Sequence, residues 1–257
     1  MTKKRIADVL LIILFLISVV LEFGKFEFSQ DSTINNLIYM TLSRTVASLF
    51  FIILIVRSKY RILSRNVRRM LPTAVCFLVA INNFPIIPYA KGLCSVSAGA
   101  PEILLFAAEC IAVASFEELA FRGLLFPLAL EKRHGSRKEI FACLAITSCL
   151  FGLYHLVNLF EGAGIGPTIQ QVGYSALIGA MCAACMLVSG NIIIPILIHA
   201  TFNFCGTFVP TLGDGIIWDT PTIIITVVLS IIVFAYMLVL FIKIDNFTLI
   251  EENFNEK

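Results

Sequence analysis

Charge is scarce in this chain: 14% of its 257 residues are Asp, Glu, Lys or Arg, and it holds only three histidines and one tryptophan. That is well below the charge of an ordinary soluble domain, which excludes a water-soluble globular protein. A formal net charge of +2 excludes the basic footprint that nucleic acid demands, so no nucleic-acid partner is expected. No small-x-small site follows the apolar run Val9–Leu21, and Glu22-Phe-Gly-Lys-Phe is a poor signal-peptidase substrate. The segment therefore reads as an uncleaved first span. There is no H-E-x-x-H metalloprotease motif, no internal repeat, and no polar stretch long enough to fold alone, the tail Asp245–Lys257 included.

What the chain has instead is apolar residues, 59% of the total with 22 phenylalanines, and a mean hydropathy of +0.94. The expected fold class is all-α: a polytopic membrane protein. A spanning helix needs about 20 mostly apolar residues. Eight segments qualify, near 6–23, 37–56, 70–90, 103–130, 139–159, 169–188, 191–209 and 222–242.

Lysine and arginine placement gives a separate check, because cytoplasmic loops are enriched in both. With eight spans and both termini inside, Lys3, Lys4 and Arg5 fall on the cytoplasmic side. So do Arg57 to Arg69 after the second span, Lys132, Arg133, Arg137 and Lys138 after the fourth, and Lys243 and Lys257 at the end. Only Lys25 and Lys91 land outside, while Arg44 and Arg122 are intramembrane. The basic loop from Arg57 to Arg69 is also suited to anionic lipid head groups.

Seven of the eight cysteines fall within spans, and only Cys94 is near an outer loop, so a disulfide framework is not expected. Cys182-x-x-Cys185 is flanked by Ala180, Ala183 and Ala184, a small-residue surface for close helix packing. Asn82, Asn83, Pro85 and Pro88 predict a bent or broken third span.

Against this background three charges stand out. Glu117, Glu118 and Arg122 lie inside the apolar stretch Ile103–Leu130, where a central charge costs roughly 3 kcal/mol on insertion scales and is usually paired and functional. Two of the three histidines, His155 and His199, also fall in spans, which makes a converging site the first expectation. Residues four apart share a helix face, so Glu118 and Arg122 are expected to pair. Glu117, turned about 100° away, is left as the candidate general base, since a carboxylate in an apolar setting is a stronger base than one in water.

The same spacing joins Phe151 to His155 and His199 to Asn203. One carboxylate, two imidazoles and a carboxamide can orient a water and donate hydrogen bonds to an oxyanion, which amide hydrolysis requires. Alternatively Glu117, His155 and His199 supply three ligands to zinc with water in the fourth place. Zinc is the one cofactor these residues admit, and none is required.

Glu117-Glu118-Leu-Ala-Phe-Arg122, Phe151-Gly-Leu-Tyr-His155 and His199-Ala-Thr-Phe-Asn203 resemble, in order and spacing, the three motifs of the CAAX protease and bacteriocin-processing (CPBP, or Abi) intramembrane proteases. The resemblance covers roughly 103–206, with three unassigned spans in 1–102 and a last span and tail in 207–257. It implies an eight-helix endopeptidase in which Glu117 and His155 activate water while His199 and Asn203 stabilise the oxyanion, with or without a metal. It also implies partners: the lipid bilayer and a membrane-embedded or lipid-anchored peptide substrate. Eukaryotic members cleave prenylated tails, and bacterial ones are linked to bacteriocin immunity and peptide maturation. The short loops point to a bacterial plasma-membrane protein and away from a prenylated substrate. The competing readings are a non-catalytic immunity or regulatory scaffold on the same fold and a proton-coupled transporter. Glu109, two turns before Glu117, reads as a polar residue facing the bundle, Arg44 as its partner or a snorkelling cation, and His134 as a loop histidine.

Overall fold

The computed structural model describes residues 3–24, 26–131, 136–160 and 162–243. Lys132, Arg133, His134 and the tail Asp245–Lys257 lie outside the described residues. The chain is all-α, 81% helical. In order it forms α1 (Lys3–Phe23), α2 (Ser32–Ser58), α3 (Val67–Met70), α4 (Cys76–Asn82), α5 (Ile86–Ala90), β1 (Cys94–Val96), α6 (Ala100–Glu118), α7 (Phe126–Glu131), α8 (Arg137–Tyr154), α9 (Ile165–Ser189), α10 (Ile193–Leu212), β2 (Gly213–Gly215) and α11 (Thr220–Lys243). Short 3-10 turns cover Leu71–Val75 and His155–Leu159, and a π-helical turn covers Leu119–Leu125.

Five helical stretches among the described residues are long and apolar enough to cross a membrane: Ser32–Ser58, Arg137–Leu159, Ile165–Ser189, Ile193–Leu212 and Thr220–Lys243. The other three segments differ from a plain apolar helix for separate reasons. α1 contributes a shorter apolar stretch, Asp8–Ser18. α6 carries Glu102, Glu109, Glu117 and Glu118 within 19 residues. The segment near 70–90 is broken into α3, a 3-10 turn, α4 and α5.

The helices divide into two compact units. The first comprises Met1–Ser58, Val75–Leu119 and Ile196–Val233. Its core gathers Leu37, Phe106, Cys110 and Leu212, with Phe204 and Phe208 against them. The rings of Phe106, Phe204 and Phe208 lie 5.1 to 6.0 Å apart, the separation at which aromatic pairs add about 1 kcal/mol beyond area burial.

The expected break in the third span falls where Pro85 supplies no backbone donor and restricts Phe84 before it. α4 stops at Asn82. The asparagines then serve packing: Asn83 Nδ2 donates to the Phe202 carbonyl at 2.9 Å, and Asn82 Nδ2 donates to Thr226 Oγ1 at 2.8 Å. Gly206 makes the first contact feasible, because a Cβ there would stand 2.0 Å from Asn83 Nδ2. Gly206→Ala is therefore expected to displace the Asn83 amide and lower stability by about 1–3 kcal/mol. Thermal unfolding in detergent measures it, and an unchanged midpoint would mean that the Asn83 bond contributes nothing.

At one end of this unit β1 pairs antiparallel with β2, Cys94 opposite Gly215. Glycine is required in β2: a Cβ on Gly213 would meet the Ser95 carbonyl at 2.0 Å, and Gly215 has φ +121. Asp219 caps α11, accepting from the Thr222 backbone at 3.1 Å and from its hydroxyl, and pairs with Lys91 at 2.8 Å. These bonds, Lys91 first, hold its carboxyl down at about 2. The stabilisation they give is present above the usual carboxylate range and is lost as pH falls towards that value.

The second unit comprises Lys59–Ala74, Ala120–Pro195 and Phe234–Lys257. α8 begins with a reciprocal cap, the Ser136 side chain accepting from the Glu139 backbone while the Glu139 side chain accepts from the Ser136 backbone. α8 and α9 approach closely at Gly152, where a Cβ would lie 2.6 Å from the Val172 carbonyl. α9 ends on Gly190 at φ +63, the left-handed cap glycine favours. Beyond it Asn191 Nδ2 donates to the Ser64 carbonyl at 2.7 Å. Cys182 and Cys185 are buried and not in a disulfide. Cys182 Sγ donates to the Pro195 carbonyl at 3.8 Å, consistent with a packing role.

Candidate active site

The first unit holds four of the six motif residues: Glu117 and Glu118 at the C-terminal end of α6, and His199 and Asn203 one turn apart on α10. Both glutamates and His199 are buried, at 7%, 0% and 4% exposure. Asn203 is half-buried.

Adjacent residues on a helix diverge by about 100°, yet one imidazole touches both carboxylates. His199 Nδ1 lies 2.9 Å from Glu118 Oε1, and His199 Nε2 lies 3.5 Å from Glu117 Oε2. A carboxylate has only lone pairs to offer, so the shorter contact assigns the hydrogen to Nδ1, which donates to Glu118. That leaves Nε2 turned towards Glu117. A carboxylate on one ring nitrogen fixes both the tautomer and the plane of the ring, and here Glu118 does this for His199. Sequence spacing did not reveal this bond, since the partners are 81 residues apart. The only signal was an unusual pair of adjacent membrane carboxylates and too few candidate partners for them.

Arg44 lies on the same unit, its guanidinium 5.2 Å from the Phe116 ring centre, and it acts electrostatically on Glu109. Glu109 also accepts from the Cys110 thiol at 3.6 Å.

The second unit holds Arg122, Phe151 and His155. Arg122 is 2% exposed, its guanidinium 4.4 Å from the centre of the Phe151 ring, a cation–π arrangement strengthened by desolvation. The ring of Phe151 also meets that of His155 edge-on at 5.2 Å, so the shared face expected of these two residues is present. His155 opens the 3-10 turn after α8. Its Nδ1 stands 3.0 Å from the Phe151 carbonyl, and Ser175 Oγ is 3.4 Å from its Nε2.

Between Glu118 and Arg122 the chain leaves α6 and enters the π-helical turn. Such turns are rare and recur at functional sites, and nothing in the spacing of the motif announced one. The four-residue step from Glu118 to Arg122 also passes from one unit to the other.

Zinc can be tested on the donor set. Glu117 Oε2 and His199 Nε2 at 3.5 Å have nearly the separation of two ligands on one tetrahedral zinc, about 3.4 Å for bonds of about 2.1 Å. Glu118 on Nδ1 would be the outer carboxylate that zinc-bound histidines use. No group of three His, Cys, Asp or Glu that could hold a metal is gathered among the described residues.

Residues 99–205, which include all six motif residues, match the sequence model of the family described as Type II CAAX prenyl endopeptidase Rce1-like. No curated protein and no solved structure matches the chain.

Proposed function

Because residues 99–205 belong to the CPBP (Abi) family of CAAX-type intramembrane proteases, we propose that this multi-pass membrane protein is an endopeptidase. It hydrolyses a peptide bond of a membrane-associated peptide or small membrane protein, with Glu117 as the base. The observation that carries the reading is His199 held between Glu118 and Glu117 in a dry environment.

The proposed steps balance without any group beyond water. Glu117 takes a proton from water, and the hydroxide adds to the scissile carbonyl carbon. The proton taken by Glu117 passes across the 3.5 Å gap to His199 Nε2, and Glu118, bonded to Nδ1–H, stabilises the positive charge this places on the ring. Nε2–H and the Asn203 amide then donate to the oxyanion, an arrangement that is strong where water is excluded. Collapse of the intermediate breaks the carbon–nitrogen bond, and the same proton goes to the leaving amine. The motif resemblance assigns His155 to activation of the water alongside Glu117.

The finer topology belongs to this proposal: eight spans, both termini cytoplasmic, in a bacterial plasma membrane. Its support is the lysine and arginine asymmetry. The direct test of function compares membrane and secreted peptides from cells carrying the wild-type protein with those from cells carrying Glu117→Ala. Peptides present only with the wild type identify substrates; identical peptide sets would overturn the reading.

Arg122 is proposed to balance the charge of Glu118. Glu118→Ala should then reduce folded protein, and Glu118→Gln combined with Arg122→Gln should recover part of that loss, because two polar neutral side chains cost less than one uncompensated charge. Abundance of the single and double variants measures it. A double variant no better than the sum of its parts means the two residues are uncoupled.

A further inference from the structure

Hydroxyls in the helices of this protein mostly return to their own helix. Thr41, Ser48, Ser148, Thr168, Ser189 and Thr207 each donate to the carbonyl four residues earlier, at 2.6 to 2.8 Å. Ser175 differs. It is 4% exposed on α9, and its oxygen is 3.4 Å from His155 Nε2 on the neighbouring element.

The contact is built in from both sides. Gly152, three residues before His155, lets the α9 backbone come within 2.6 Å of where a Cβ would be. Three residues beyond His155, Asn158 Nδ2 donates to Gln171 Oε1 at 2.8 Å. His155 and Asn158 lie three apart in a 3-10 turn, whose period is three residues. Gln171 and Ser175 lie four apart on an α-helix, whose period is close to four. Two residues of one element therefore meet two of the other.

The proton positions follow from what each group can do. The Phe151 carbonyl can only accept, so His155 Nδ1, 3.0 Å away, carries the hydrogen. The neutral ring then has its lone pair on Nε2, and the Ser175 hydroxyl donates to it.

We propose that Ser175 is a positioning residue that holds His155 in the Nδ1–H tautomer and fixes the direction of its Nε2 lone pair. Its catalytic consequence rests on the endopeptidase reading above, whereas its structural content does not. Magnetic resonance of nitrogen-15 histidine-labelled full-length protein in lipid nanodiscs tests it directly, with His155→Gln used to assign the signal. In the wild type, Nδ1 of His155 should resonate as a protonated nitrogen and Nε2 as a lone-pair nitrogen shifted upfield by an accepted hydrogen bond. Ser175→Ala should move the Nε2 signal downfield, and Ser175→Thr, which retains the hydroxyl, should return it to the wild-type position. An unaltered Nε2 signal in Ser175→Ala, or a proton found on Nε2 in the wild type, overturns the proposal.

A second readout uses the peptides identified by the membrane comparison. Ser175→Ala should lower kcat roughly 10-fold with little change in KM, and Ser175→Thr should restore it. The nitrogen signals behaving as expected while no peptide depends on Glu117 would leave the positioning role standing and remove the endopeptidase reading. The reverse result, peptidase activity with an Nε2 signal indifferent to Ser175, would remove the positioning role alone.

Discussion

Glu117→Gln should abolish turnover while leaving the protein inserted and abundant. The change keeps the shape of the side chain and adds no charge, so a dry site accepts it at little cost. What it removes is the carboxylate oxygen that lies 3.5 Å from His199 Nε2. A carboxamide cannot take a proton from water, and a positioned general base is worth about 100- to 10,000-fold. The measurement pairs product formation with membrane abundance and thermal midpoint in detergent. Abundance falling in step with activity would make Glu117 a structural partner of His199. Full activity would reject it as the base. The same comparison separates the competing classes, since an immunity scaffold retains its protection when Glu117 is replaced and the fold persists.

The fold and the site were legible in the sequence to different depths. Glu117, Glu118, Arg122, His155 and His199 were conspicuous because charge and imidazole are costly among apolar residues. Pro85 and the two asparagines before it announced the break after α4, because a missing backbone donor is a local fact. The π-helical turn at Leu119–Leu125 was not legible, since an extra residue in a helical turn leaves the apolar pattern almost intact. Nor was the contact of Glu118 with His199: helical spacing compares residues within one helix, and this bond joins two. Ser175 was hidden for another reason. A serine in an apolar helix usually bonds its own backbone or packs as a small residue, and only the position of its oxygen relative to His155 reveals otherwise.

Under the proposed mechanism Asn203→Ala should cost about 100-fold in kcat with KM largely unchanged, because there the amide would donate to charge that exists only in the transition state. Asn203 stands one turn after His199 on α10, so both donors move as one rigid element and loss of one leaves the other in place. Zinc chemistry makes different demands on the same side chains. It would need Glu117, His155 and His199 as ligands, with Asn203 only orienting a neighbour. The donor pair Glu117 and His199 has the right separation for a metal, so the rate loss alone does not discriminate, and metal content must be read beside it. Elemental analysis of purified protein should show no stoichiometric zinc, and chelators should leave activity intact. Near-stoichiometric zinc that disappears with His199→Ala, with activity lost to chelators and restored by added metal, would overturn the metal-free mechanism. In that case Glu118 would be kept as the carboxylate that orients His199, and Glu117 would pass from base to ligand.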